Sequence, residues 1–290
     1  MTSQAANFIG AIPAKYDHCL GPQLFADYGL DLARRVAAGR PGHVLEIAAG
    51  TGILTRLLRE ALPASAHLVA SDLNSPMLEI AREKFADTEQ VEFRQADAMA
   101  LPFADGAFNA VVCQFGVMFF PDKSKAYRET LRVLAPGGRY YFNVWDSFEF
   151  NSFARITHEA IGRFFVKDAP AFFTVPFGYH CIDAIKTSLT QVGFADISIQ
   201  VVKIEKTIED VPRLAEGLIF GNPIIAEIGT RWPTDPAAIA DAVTTALQIE
   251  FCQNARCLTL QAIIFDARKP SAAAQGKMLD RRQYEFAASN

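Results

Sequence analysis

From about residue 30 to residue 145, short apolar runs alternate with stretches of helical period. That alternation predicts a parallel sheet with helices on both faces. The first strand is expected at His43–Ala48 and runs into a glycine turn. A helix follows at Ile53–Leu62, where Leu54, Leu57, Leu58 and Ala61 recur on one face. His67–Ser71 reads as the second strand. Ser75 then serves as N-cap, and Pro76 opens a helix that reaches Phe85. Val91–Arg94 is a short third strand, and Phe108–Gln114 is a continuous apolar run of the fully buried type. A helix at Lys123–Leu134 is stopped by Pro136-Gly137-Gly138, and Arg139–Trp145 forms the fifth strand.

Beyond Trp145 the pattern loosens. Phe153–Phe165 has helical spacing, and Val166–Tyr179, with two prolines and several aromatics, reads as a loop or lid. Ile182–Val192 is helical and ends at Gly193. Two alternating runs, Ile197–Lys206 and Cys257–Arg268, flank the helical stretches Val211–Gly229 and Pro236–Phe251. The two runs are expected to pair antiparallel at a sheet edge. The domain reading is one unit over 1–272, with a core at 30–146, cap segments at 147–196 and 207–256, and a tail at 273–290.

Composition narrows the partners. Half of the 290 residues are hydrophobic, 21% are charged, and the formal net charge is −4. Nucleic acid is therefore an unfavourable principal partner, because phosphate binding needs a basic face. Arg34, Arg35 and Arg40 form a local group that reads as a solvated helix face. The five cysteines are scattered without a CxxC pair, so neither a disulfide framework nor a metal site is indicated. No signal peptide and no membrane-length apolar run is visible, and a cytoplasmic protein is expected.

The chemistry concentrates at Val44-Leu45-Glu46-Ile47-Ala48-Ala49-Gly50-Thr51-Gly52. An apolar strand enters a turn of small residues, and a helix starts at once. Glycine lets a ligand approach the backbone closely, and the carboxyl end of a parallel strand is where open α/β sheets bind ligands. Asp72 ends the next strand about twenty residues on, where an acid accepts hydrogen bonds from ribose hydroxyls. Asn74 follows it. Asp97-Ala98, past the third strand, suits an adenine edge; the alternative is a turn that Asp97 makes with its own backbone. Gln114 and Phe115 close the fourth strand.

These segments resemble the class I S-adenosylmethionine-dependent methyltransferases, in particular the ubiquinone/menaquinone C-methyltransferases. The resemblance rests on 44–52, 70–78, 95–120 and 132–146, four motifs in order and spacing. It implies a Rossmann-like α/β fold with seven strands in the order 3-2-1-4-5-7-6, mostly parallel, the last-added strand antiparallel, and a helical insertion between the last two. It also implies S-adenosylmethionine as cofactor, with S-adenosylhomocysteine as product. Glu46, Ala48, Gly50, Thr51 and Gly52 would wrap its methionine part and ribose. Asp72 would hold the ribose hydroxyls, Leu73 and Met77 would flank the adenine, and Asp97 and Ala98 would meet its edge. Gln114 and Phe115 would lie near the sulfonium. The helical cover at Tyr16–Tyr28 would bring Tyr16 to the cofactor. Ala48-Ala49 departs from the family's usual Gly or Cys and is tolerated if φ is negative there.

The activity implied is methyl transfer to an apolar or aromatic small molecule, carried mainly by proximity and orientation. His180 is the candidate general base, with His18 and Tyr16 behind it and His158 after them. Trp145, Phe177 and Tyr179 are candidate acceptor contacts, within a group that includes Phe148, Phe150, Phe153, Phe172 and Phe173. The insertion at Val211–Phe251 is free to close the pocket or to form a homodimer contact. Two other readings stand beside this one: a cofactor-binding protein without turnover, and an NAD(P)-dependent oxidoreductase, which shares the glycine turn and the acid but not the later motifs.

Overall fold

The computed structural model describes residues 4–230, 235–253 and 257–271. α1 (Ile12–Lys15) continues into a ten-residue π-helical run, Tyr16–Phe25, and then α2 (Ala26–Ala38). The run holds Pro22, which has no N–H to give an ordinary helical ladder. Wide turns of this kind recur at functional sites. Gly21 lets the run lie against the next helix: a Cβ there would sit 2.9 Å from Ile53 Cδ1.

β1 (His43–Ile47), α3 (Ile53–Ala61), β2 (His67–Asp72), α4 (Ser75–Arg82) and β3 (Val91–Gln95) follow. Then come β4 (Phe108–Gln114), α5 (Lys123–Val133), β5 (Leu134–Trp145), α6 (Ser152–Gly162) and α7 (Ile182–Val192). The chain continues through β6 (Ala195–Thr207), α8 (Val211–Phe220), α9 (Ile224–Thr230), α10 (Pro236–Gln253) and β7 (Cys257–Arg268). The sheet order is β3-β2-β1-β4-β5-β7-β6, with β7 antiparallel to both neighbours. This is the order the resemblance implied, and the late strands pair as their alternation predicts.

The central strands are buried on both faces. Leu45 and Ile47 of β1 join Val111 and Cys113 of β4 and Tyr140 and Phe142 of β5 in one apolar layer. Val44, Ala110, Val112 and Tyr141 join Leu32, Val36, Leu54 and Leu58 in the other. α2 and α3 therefore cover one face. On the opposite face lie α5 and α7 and, above the strand ends, the cap helices, where α10 packs against α6 and α8. β6 has no fully buried residue and carries Asp196, Lys203 and Glu205, which suits an edge strand.

Several expected boundaries move. Ser75 is the first residue of α4, and Asn74 precedes it as N-cap, held by its contacts to Asp72. Pro136-Gly137-Gly138 lies within β5 rather than before it. The register jumps from Phe108↔Leu134 to Ala110↔Arg139, so these residues bulge out of the ladder. Gly138 is required there, since a Cβ would fall 2.9 Å from the carbonyl oxygens of Ala135 and Asn109. The predicted helix at Val211–Gly229 breaks at Gly221-Asn222-Pro223 into α8 and α9. The helix expected to reach Phe165 ends at Gly162. The tail at 273–290 falls outside the described residues. Among the described residues, no helix is long and apolar enough to cross a membrane.

Candidate functional site

β1, β2, β3 and β4 end side by side, and their carboxyl ends form one rim of a cavity of about 230 Å³. The turn after β1 is built from left-handed residues. Gly50 has φ +56° and Gly52 φ +79°. Ala48 also has positive φ, +53°, contrary to the sequence expectation. A left-handed conformation costs an L-residue roughly 1–2 kcal/mol, and alanine bears it with the smallest side chain. Gly116 makes the room: a Cβ on it would lie 2.5 Å from Ala48 Cβ and 2.8 Å from Cys113 Sγ. Gly52 lines no part of the cavity. It starts α3 and permits α4 to pack close, since its Cβ would meet Ala81 Cβ at 2.9 Å.

Asp72 holds the turn. Its carboxylate accepts from the Gly50 N–H and the Asn74 N–H, both at 2.8 Å. Asn74 in turn donates from its side chain to the Ala6 carbonyl at 3.0 Å, drawing the N-terminal segment over the cavity. Glu46, on the neighbouring strand, is 1% exposed and accepts from Thr55 Oγ at 2.6 Å. Burial pushes the Glu46 carboxyl up to about 8, against the Thr55 hydrogen bond and aided by the nearby Asp72. Burial also raises Asp72, opposed by the two backbone N–H groups. Neither carboxylate has a basic partner among the described residues. Among the described residues no Lys, Arg or His lines this cavity or the smaller one beside it, which is bounded by Glu46, Ala48, Gly50, Thr51 and Gln114. Thr51 Oγ is buried there with no hydrogen-bond partner.

A consequence in pH follows from Glu46. With a folded value near 8 and an unfolded value near 4.5, the folded state binds the extra proton between those limits. Stability of the free protein should therefore fall as pH rises from about 4.5 to about 8. Glu46→Gln should flatten that part of the profile in thermal unfolding across pH, and an unchanged slope would remove Glu46 as its source.

Asp97 makes the turn with its own backbone that was the alternative reading: Oδ1 accepts from Met99 N at 2.8 Å. That turn also sets Asp97 and Ala98 in the cavity wall, beside Leu73 and Met77. The following loop is tied down by Arg132, which donates to the carbonyls of Leu101 and Phe103 and to Asp105 and Glu129 at 2.7–2.9 Å. Lysine cannot reproduce that planar fork. Arg132→Lys should cost about 1–3 kcal/mol in denaturant unfolding and loosen the Asp97 wall. A loss below measurement would mean the fork holds nothing.

Gln114 donates to the Phe25 carbonyl at 2.8 Å, so it fastens the end of the π-helical run over the strand ends. Phe115 has φ +51° and donates its N–H to Asn143 Oδ1 at 2.9 Å. Its ring stacks on Trp145 with centroids 4.0 Å apart and planes 13° apart. Beyond that stack lies a second, apolar chamber of about 50 Å³. Phe25, Phe153, Phe172, Phe173 and Phe177 wall it, and Phe8, Tyr16, Phe115 and Phe119 border both spaces. Tyr16 stacks on Phe25 at 4.9 Å, and burial drives its hydroxyl far above the usual phenol range.

Of the predicted acceptor contacts, Trp145 and Phe177 are brought to the chamber and Tyr179 is not. Its hydroxyl pairs with Tyr127 at 3.0 Å, and Lys123 covers its ring. His180 also lines neither space. It is 40% exposed in its side chain and stands 4.0 Å from Asp146. His18 is held by Arg213, and His158 stacks on Phe148 behind Phe177. Phe150 is 44% exposed. Phe25 ends the Leu-Gly-Pro-x-Leu-Phe run of the helical cover, whereas Phe8, Gly116, Phe119, Leu218 and Asn222 are not among the residues the sequence assigns to the site. Phe119 sits in a quoted motif, while Phe8 and Asn222 carry no local signal.

Residues 44–138 match the family model described as a methyltransferase domain. A demethylmenaquinone methyltransferase of Thermus thermophilus is 50% identical over 111 residues, 38% of this chain and 49% of that protein. A ubiquinone/menaquinone biosynthesis C-methyltransferase of Photorhabdus laumondii is 29% identical over 67% of this chain and 83% of its own length. The chain spans about half the length of most of the curated relatives it matches. Among solved structures, the YcgJ protein of Bacillus subtilis aligns over 85% of this chain and all of its own, with a TM-score of 0.56 and 22% identity. Phosphoethanolamine N-methyltransferase 2 of Haemonchus contortus, solved with S-adenosyl-L-methionine, aligns over 89% of this chain and 57% of its own, at 0.57 and 18%. The chain thus has the class I methyltransferase fold, and its cofactor half resembles the ubiquinone/menaquinone C-methyltransferases.

Proposed function

We propose that this chain is an S-adenosylmethionine-dependent methyltransferase whose acceptor is an apolar or aromatic small molecule held in the phenylalanine-walled chamber. The observation that carries this reading is charge. Glu46 and Asp72 are buried at adjacent strand ends, and among the described residues no cation stands beside them. Burial holds the Glu46 carboxyl protonated up to about pH 8 in the free protein, and a cationic group brought beside it would favour its ionised form, so a cationic ligand complements this site. A nicotinamide dinucleotide would instead bring a pyrophosphate against two acids and no base, which argues against the oxidoreductase reading.

When bound, S-adenosylmethionine supplies an electrophilic methyl group on a positively charged sulfur. The chain's own residues supply position. Asp72 is placed to accept from ribose hydroxyls, and Asp97 and Ala98 to meet the adenine edge, with Leu73 and Met77 beside them. Glu46, Thr51 and Gln114 border the small cavity that suits the amino-acid part, where the unpaired Thr51 hydroxyl gains a partner. Tyr16, Phe115 and Phe119 stand between donor and acceptor and keep water out of the passage. The described residues of segments 147–196 and 207–256 form the acceptor cap; the former supplies four phenylalanines of the chamber wall. The name of one relative refers to demethylmenaquinone and that of another to ubiquinone/menaquinone biosynthesis, and a quinone-type ring is one acceptor that fits such walls. Orientation of this kind is worth roughly 7–11 kcal/mol of barrier. Among the described residues no histidine lines the chamber, and burial keeps the Tyr16 hydroxyl protonated, so a proton leaving the acceptor passes to solvent.

The test is transfer of label from methyl-labelled S-adenosylmethionine to pooled aromatic acceptors. Labelled organic product is expected. Cofactor binding with no labelled product from any pool would favour a binding protein without turnover.

A further inference from the structure

The apolar chamber contains three side chains with polar N or O groups: Tyr16, Trp145 and Asn222. Asn222 lies in the break between α8 and α9 and is 7% exposed. Its amide nitrogen donates to the carbonyls of Gly217 and Leu218, both at 3.2 Å. Carbonyl oxygens only accept, so that end of the amide is the NH2 group and the other end is the oxygen. No described residue donates to that oxygen, and none accepts from the Trp145 indole N–H. Gly221 seats this turn on the residue that borders both spaces: a Cβ there would lie 3.0 Å from Tyr16 N. The oxygen is not among the fully buried atoms that lack a partner, so water serves it in the free protein, and a ligand that displaces that water without replacing its hydrogen bond loses affinity. Tyr16 and Trp145 carry donors but neither is bonded to this oxygen, so once water is displaced the donor must come from the ligand.

We propose that Asn222 Oδ1 is the specificity determinant of the chamber, accepting a hydrogen bond from a hydroxyl or amino group on an otherwise apolar, ring-sized methyl acceptor. The proposal rests on reading the chamber as the acceptor site. It differs from a purely structural role, in which Asn222 only caps the end of α8 and leaves ligand choice untouched. A site built to pair with a ligand's donor rejects the analogue that lacks it, because its own group is then stranded.

The test is calorimetric binding of single-ring probes to protein saturated with S-adenosylhomocysteine. 4-Ethylphenol and 4-ethylaniline carry a donor; 4-ethylanisole and ethylbenzene do not. The wild-type protein should bind the first pair about tenfold more tightly than the second. Asn222→Leu should bring the ratio close to one while S-adenosylhomocysteine affinity holds. Because that variant also removes the α8 cap, the wild-type series decides alone if the variant does not fold. Equal binding of the four probes by the wild-type protein overturns the proposal, and so does a preference that survives in folded Asn222→Leu. If S-adenosylhomocysteine binds but no probe does, the chamber is not the acceptor site, and that failure is distinct from equal binding.

Discussion

Asp72→Ala should weaken S-adenosylhomocysteine binding by roughly 10–100-fold while leaving the protein folded. The carboxylate has two tasks in the proposed complex. It accepts from the N–H groups of Gly50 and Asn74, each at 2.8 Å, which fixes the shape of the turn, and it offers its remaining acceptor capacity to the ribose hydroxyls. Hydrogen bonds to a charged group are worth about 1.5–3 kcal/mol, and each 1.4 kcal/mol is tenfold in affinity. The alanine variant strands two backbone N–H groups but also removes a buried carboxylate whose own pKa is raised by burial. These effects oppose each other, so thermal stability should change far less than affinity. Asp72→Asn keeps an oxygen but loses the charge and should fall between the two. Unchanged affinity in folded Asp72→Ala would remove Asp72 from the cofactor site.

Trp145→Ala should have the largest effect on stability, about 3–5 kcal/mol in denaturant unfolding. The ring is 4% exposed and sits at the centre of an aromatic cluster. It stacks on Phe115 and on Phe177, and it meets Tyr28 and Phe153 edge to face at 5.5 and 6.0 Å. Its removal leaves a void between sheet, π-helical run and cap that none of these elements can close without shifting the others. Trp145→Phe retains a ring for Phe115 and Phe177 to stack on and should lose clearly less. The alanine variant should also lose binding of aromatic ligands in the chamber. A cost below about 1 kcal/mol would contradict the packing described for the cluster.

The cofactor half was legible because its determinants are local. β1, β4 and the glycine turn announce themselves by apolar runs and small residues, and Asp72 stands a fixed distance along the chain from the turn it fixes. Asp97 was ambiguous in sequence for a physical reason: the turn it makes with Met99 and its place in the cavity wall use the same residue. The acceptor half was legible only as a surplus of aromatic residues. Which rings face the chamber depends on how the cap lies on the sheet, and that is tertiary. Phe177 turns inward to Trp145, whereas Tyr179, two residues on, turns to Tyr127. His180 follows Tyr179 out of the chamber to stand near Asp146. Phe8 and Asn222 reach the site from distant parts of the chain, through the Asn74–Ala6 hydrogen bond and the Gly221–Tyr16 contact. The positive φ of Ala48 was likewise out of reach, because the space that permits it belongs to Gly116.

The central claim is that this site, with two buried acids and no base, takes a cationic adenosine ligand. Calorimetric titration of the purified protein with S-adenosylmethionine and, separately, with NADH tests it most directly. The account predicts one-to-one binding of S-adenosylmethionine that tightens as pH rises towards 8, where Glu46 ionises, and no measurable binding of NADH. Tight binding of NADH with none of S-adenosylmethionine would contradict it.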